Sequence, residues 1–72
     1  LGHSECKRLV LEARAEAETR LAGFDAIATR LESDPEPERT FMQITLSAGR
    51  HSALAAIAWA DEALDLLEGL ER

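Results

Sequence analysis

Few side chains in this sequence are of types that could do chemistry, and their spacing comes first. His51 stands beside Ser52 and four residues after Ser47, a grouping that could pass for a nucleophile with its base. Such a base needs an acid to orient it, and no His, Cys or carboxylate lies four residues before or after His51. It reads as a solvated histidine rather than a pH sensor or ligand donor. His3 sits near a fraying end of the chain and reads the same way. The single Cys6 has no internal disulfide partner and no base four residues away to stabilise a thiolate. On an apolar helical face it packs as a small hydrophobe. Asp61–Asp65 and Glu12–Glu16 pair carboxylates at helical spacing, but general acid–base work needs a cleft that shifts a pKa, and these fall on polar faces. No Gly-rich phosphate loop, nucleophile elbow, HExxH or Cys/His metal cluster is written in the chain. The expectation is a protein that is not an enzyme, with no catalytic residue, metal ligand or cofactor.

Composition narrows the class further. With 72 residues, 46% hydrophobic and 31% charged, the chain is one small domain, neither disordered nor membrane-like. Its longest apolar run, Ala53 to Ala60, falls far short of the roughly 18 residues of a spanning helix. No signal segment opens it, so a cytoplasmic location is expected. The net charge of −6 is spread evenly: residues 1–36 carry 5 basic and 8 acidic groups, residues 37–72 carry 3 and 6. Phosphate contact needs clustered Lys and Arg, so any DNA binding must belong to a region outside this sequence. The first residue is Leu1 rather than Met, which suggests a piece of a longer protein.

The elements that must position these residues are helices. Ala, Leu, Glu and Arg dominate, all strong helix formers, and no period-2 alternation signals a strand. The one sharp break is "ESDPEPER", where Pro35 and Pro37 stop a helix from running through. Helix 1 is expected over about 4–32 and helix 2 over about 36–68. Ser33 or Asp34 would cap the second helix, with Pro35 in its first turn and Gly69 as a left-handed stop. The short break makes the two rods antiparallel neighbours, which brings Lys7, Arg8 and Arg14 near Asp61, Glu62, Asp65 and Glu68.

At about 100° per residue the two faces differ. Helix 1 gathers Cys6, Leu9, Val10, Ala13, Ala17, Leu21, Phe24, Ile27, Ala28 and Leu31 in an arc of roughly 120°. Helix 2 spreads its apolar residues over roughly 200°, leaving a wet wedge into which Leu54 intrudes. One narrow stripe cannot cover the wider arc, soluble monomers rarely leave such strips bare, and chains this small commonly need a partner or a staple. The expected architecture is therefore all-α: an antiparallel two-helix hairpin, pairing with a second copy into a four-helix, coiled-coil dimer. Candidate core and dimer-interface residues are Phe41, Met42, Leu46, Gly49, Ala53, Ala56, Ile57, Trp59, Ala60, Leu64 and Leu67. Trp59, with small Ala55, Ala56, Ala60 and Ala63 around it, reads as an interface anchor, or alternatively as the contact for a ligand between helices. Gly49 falls on the apolar arc, where close helix approach would justify its cost of about 1 kcal/mol; Gly23 falls on the polar side of helix 1 without a packing reason.

"AGRHSALAAIAWADEALDLLEGL" resembles the last helix in the C-terminal domain of PadR-like regulators of the virulence-activator type. Those show a Gly, a Trp ten residues on, then an acidic–acidic–Ala–Leu ending, here Gly49, Trp59 and Asp61-Glu62-Ala63-Leu64. "RLVLEARAEAETRLAGFDAIATRLE" is similar to the charged helix that precedes it. The chain departs from the pattern at His51, Ser52, Ala53 and Leu54, where the family often has Glu and Tyr. The resemblance implies that the whole chain, 1–72, is a helical dimerisation domain of a transcriptional regulator, forming a homodimer that holds two winged-helix DNA-binding heads. It leaves room for a small-molecule effector that no residue identifies. The rival reading is a stand-alone helical-hairpin adaptor that binds another protein through the apolar strip of helix 2.

Overall fold

The structure, a computed structural model, describes residues 2–33 and 37–71. It contains two helices among them, α1 over His3–Leu31 and α2 over Glu38–Leu70. They lie side by side and antiparallel in a rod of 54 × 16 × 14 Å.

The helix ends are set by which backbone groups find partners. Pro37 is the N-cap of α2, and its carbonyl accepts the first helical bond from Phe41 N–H at 3.2 Å. The helix thus begins at Glu38 rather than at about 36, and Glu36 itself lies outside the described residues. The expected Asp34 cap and Pro35 first turn lie outside the described residues. Ser33, the other expected cap, serves α1 instead: its hydroxyl donates to the Arg30 carbonyl at 3.1 Å, one of the last four carbonyls a helix leaves without an internal partner. Arg39 at the start of α2 donates to the Glu32 carbonyl at 3.3 Å and so ties the two ends of the connection. Gly69 is not a left-handed stop. α2 runs through it to Leu70, and Glu71 follows in right-handed helical geometry with its N–H on the Glu68 and Gly69 carbonyls.

The shared core is a narrow seam. On α1, buried or half-buried positions recur every seven residues at His3, Val10, Ala17, Phe24 and Leu31; on α2 the same step runs through Leu46, Ala53, Ala60 and Leu67. That is the spacing of a coiled-coil seam. Its fully buried members are Ala17, Ala53 and Ala60, and among the described residues no large side chain is fully buried. Alanines at the seam let the two backbones come close, but they remove little apolar area from water. Leu9, expected on the covered arc of α1, is 41% exposed, because a seam of seven-residue period is narrower than the roughly 120° arc read from the wheel.

Candidate functional site

Two seams run along the hairpin, one on each side of the core, and they differ in chemistry. The first is ionic. Arg14 Nε donates to Asp61 Oδ1 at 2.8 Å, and Arg50 Nε donates to Asp25 Oδ1 at 2.6 Å. Arg14 also pairs with Glu18. The hydrogen bond and charge of Asp61 raise the Arg14 guanidinium above its ordinary value, with partial desolvation opposing them. A raised base favours the fold at every pH below arginine's usual range. Arg8, expected to face the acids of α2, turns instead to Glu12 and Glu5 of its own helix at 2.9 and 3.9 Å, which are nearer on the i, i+3 and i, i+4 ladder.

The second seam is apolar. Helical geometry puts Arg14 and Asp25 on one flank of the α1 core stripe and Leu9, Arg20 and Ile27 on the other; on α2 it puts Arg50 and Asp61 on one flank and Thr45, Ala56 and Ala63 on the other. No cross-helix ion pair is seen on this flank among the described residues. Beyond it, α2 carries a bare strip of Phe41, Ile44, Ala48, Ala55, Trp59, Leu66 and Leu70. Phe41 is 66% exposed, Ile44 63%, Trp59 53% and Leu66 69%. On the wheel this strip is centred about 120° from the stripe that meets α1. α2 is therefore apolar twice over, and one of its stripes has no cover among the described residues.

The eleven candidate residues on α2 divide between these two stripes. Leu46, Ala53 and Ala60 are buried against α1, and Gly49, Ala56, Ile57, Leu64 and Leu67 are half-buried along the same stripe. Phe41 and Trp59 are exposed on the bare strip, while Met42 lies in line with the α1-facing stripe but is exposed as well. Gly49 has a definite role: a Cβ there would lie 2.7 Å from Cζ, 2.9 Å from Cε2 and 3.0 Å from Cε1 of Phe24. The Phe24 ring occupies the space that any other residue would fill. Gly23 faces open space, and the structure supplies no reason for it.

Two features escaped the sequence reading. His3 is not a loose end: its Nε2 lies 3.0 Å from the Leu67 carbonyl and 3.4 Å from Glu71 Oε1. A carbonyl only accepts, so Nε2 carries the hydrogen, and the imidazole satisfies an end-of-helix carbonyl where α2 has no basic residue in its last turn. Shallow grooves open at this end, lined by His3, Lys7, Leu11, Leu64 and Glu71 among others; Trp59 lines neither. Cys6 is half-buried, and His51 is exposed. Among the described residues no group of three or more His, Cys, Asp or Glu is placed to hold a metal, and no helix is long and apolar enough to cross a membrane. The arrangement offers an uncovered apolar surface on α2.

The family model described as virulence activator alpha C-term matches residues 1–68. No curated protein and no solved structure matches the chain.

Proposed function

We propose, for a chain that belongs to the virulence activator alpha C-terminal family, that it is the dimerisation domain of a PadR-like transcriptional regulator. Family membership supports a regulatory domain; the homodimer and its DNA-reading role are the further step. The observation that carries that step is the uncovered apolar strip of α2. The surface area points the same way. The chain exposes 5202 Å², whereas a compact monomer of 7.9 kDa would expose about 4400 Å². The surplus of roughly 800 Å² is what one partner contributes to a standard interface.

The domain's work is geometric. Two copies held together fix the separation and orientation of two winged-helix heads, which belong to the sequence ahead of residue 1 in this reading, so that both meet their half-sites on one duplex. The acidic hairpin, at −6, leaves DNA contact to those heads. The protein works in the cytoplasm, carries out no reaction, and leaves the interface available to a small-molecule effector. Sedimentation equilibrium of the 72-residue chain at micromolar concentration tests the dimer: a mass of twice 7.9 kDa is expected, and a clean monomer overturns it. Reading the gene upstream of Leu1 tests the regulator, since a winged-helix sequence is expected there and a start codon in its place would favour the stand-alone adaptor.

A further inference from the structure

We infer that the two cross-helix ion pairs, rather than the core, set the direction in which α2 faces, and that the hairpin therefore has two positions. In the position seen, the strip of Phe41, Ile44, Ala48, Ala55, Trp59 and Leu66 points outward. In the other, α2 turns about its own axis and lays that strip on α1. Both positions belong to a single chain, with or without a second copy.

The core does not choose the observed position. α1 covers the less bulky of the two apolar stripes: the fully buried residues are Ala17, Ala53 and Ala60, whereas Phe41, Ile44, Trp59 and Leu66 are all more than half exposed. Apolar packing rewards area removed from water, and turning the strip inward would remove more of it. Gly49 gives the Phe24 ring room in the observed position, but room is not attraction. Something else holds α2 as it is.

The ion pairs supply that hold. Arg14–Asp61 and Arg50–Asp25 lie on one flank, at 2.8 and 2.6 Å. Eleven residues separate Arg14 from Asp25 on α1, and eleven separate Arg50 from Asp61 on α2, so they act as two pins about 16 Å apart along the rod. A turn of about 120° carries Asp61 and Arg50 together to the far side of α2. It sets Thr45, Ala56 and Ala63, none of them charged, beside Arg14 and Asp25. Both pins release in one movement.

α1 is shaped to receive the strip. The two ion pairs and the Phe24–Gly49 approach fix the level of one rod against the other. At that level Trp59 comes opposite Ala13 and Ala17, where the side chains are small and leave space for an indole. Leu66 comes opposite Cys6 and Val10, and Ile44 opposite Ala28 and Leu31.

Exposed ion pairs are weak and are screened by salt. The choice between the two positions therefore follows the charge on this flank. The apolar surface of α2 is conditional: what neutralises the pins turns it inward and hides it.

The test reads which side of α2 faces Leu21. In a Cys6→Ser background, one chain carries Leu21→Cys with Leu54→Cys, and another Leu21→Cys with Ser52→Cys. Leu54 and Ser52 are both exposed. In the observed position Leu54 lies on the ionic flank, toward which Leu21 leans, and Ser52 on the opposite one; the turn brings Ser52 to Leu21 and carries Leu54 away. Chains are diluted until sedimentation returns the 7.9 kDa monomer, and a short thiol-to-thiol crosslinker then closes links within one chain. The 21–54 link is expected to dominate. Asp25→Arg with Asp61→Arg makes both pins repulsive and is expected to raise the yield of the 21–52 link relative to 21–54 about ten-fold. Adding Arg14→Asp and Arg50→Asp exchanges both pairs whole and is expected to restore the first ratio. Salt at about 1 M should move the unaltered pins in the same direction as the reversal. An unchanged ratio in the reversed chain, with its helicity kept, means that the core sets the direction, and the inference fails. It fails also if the reversed chain loses its helices, because the pairs then hold the hairpin together rather than aim it, or if the exchanged chain stays turned.

Discussion

Gly49→Ala should destabilise this protein even though it swaps a poor helix former for the best one. Gly49 is inside α2, so helix propensity alone favours Ala by about 1 kcal/mol. Against that stands the Phe24 ring, whose nearest atom would lie 2.7 Å from the new Cβ, roughly 1 Å inside ordinary carbon–carbon contact. Phe24 is half-buried and sits on the seven-residue seam. Its ring can recede only by giving up seam contacts or leaving its rotamer. Overpacking of this kind costs about 1–3 kcal/mol, so the net effect is a loss of up to about 2 kcal/mol. The sign reverses when the ring is removed: in a Phe24→Ala background, Gly49→Ala should stabilise by about 1 kcal/mol. The coupling energy of the cycle is then about 1–3 kcal/mol. Urea unfolding followed by far-UV circular dichroism measures all four corners at one chain concentration, because a dimer's apparent stability depends on concentration. Gly23→Ala can be added throughout to give margin. If Gly49→Ala stabilises by the same amount with and without Phe24, the ring does not need the glycine and the close approach is refuted.

Gly23→Ala itself should raise stability by about 1 kcal/mol in the same assay, since a Cβ there meets nothing within 4 Å; a loss would mean that a partner covers that face. Trp59→Glu should abolish the dimer in sedimentation at micromolar concentration while leaving the chain helical, because it puts a charge at the centre of the bare strip; an unchanged dimer removes Trp59 from the contact. Asp25→Asn, which weakens the exposed pair with Arg50, should cost under about 1 kcal/mol and less in high salt; a larger, salt-independent loss would show that the ionic seam is structural. His3→Ala should cost about 0.5–1.5 kcal/mol and speed amide hydrogen exchange in the last turn of α2, where the Leu67 carbonyl loses its partner; unchanged exchange would show that water replaces the imidazole without loss.

Much of this molecule is legible in its residues. Helix formers on either side of "ESDPEPER" dictate two helices and one reversal, because proline stops a helix by geometry that no tertiary contact can repair. The unequal arcs also follow from spacing alone: α2 has more apolar circumference than α1 can cover, and the exposure of Phe41, Ile44, Trp59 and Leu66 is the residue of that mismatch. What spacing leaves open is azimuth. A wheel says that α2 has a wide apolar arc, but not which part turns toward α1, since alanines and leucines on either edge would serve.

Only the packed pair decides that. Once the backbones come close over Ala17, Ala53 and Ala60, the long polar side chains at one margin are brought within reach, and Arg14–Asp61 and Arg50–Asp25 form there. Those partners are 47 and 25 residues apart in sequence, so no local pattern announces them. The same holds for His3 on Leu67, which looks like a stray terminal residue until the antiparallel rod brings the far end of α2 beside it. Gly49 shows the division most plainly: its place on the apolar arc says that something comes close, and the Phe24 ring says what. Propensity and periodicity act within a few turns and are written in the chain. Side-chain partners across a seam depend on the relative rotation of two rods, which is settled only when both are present.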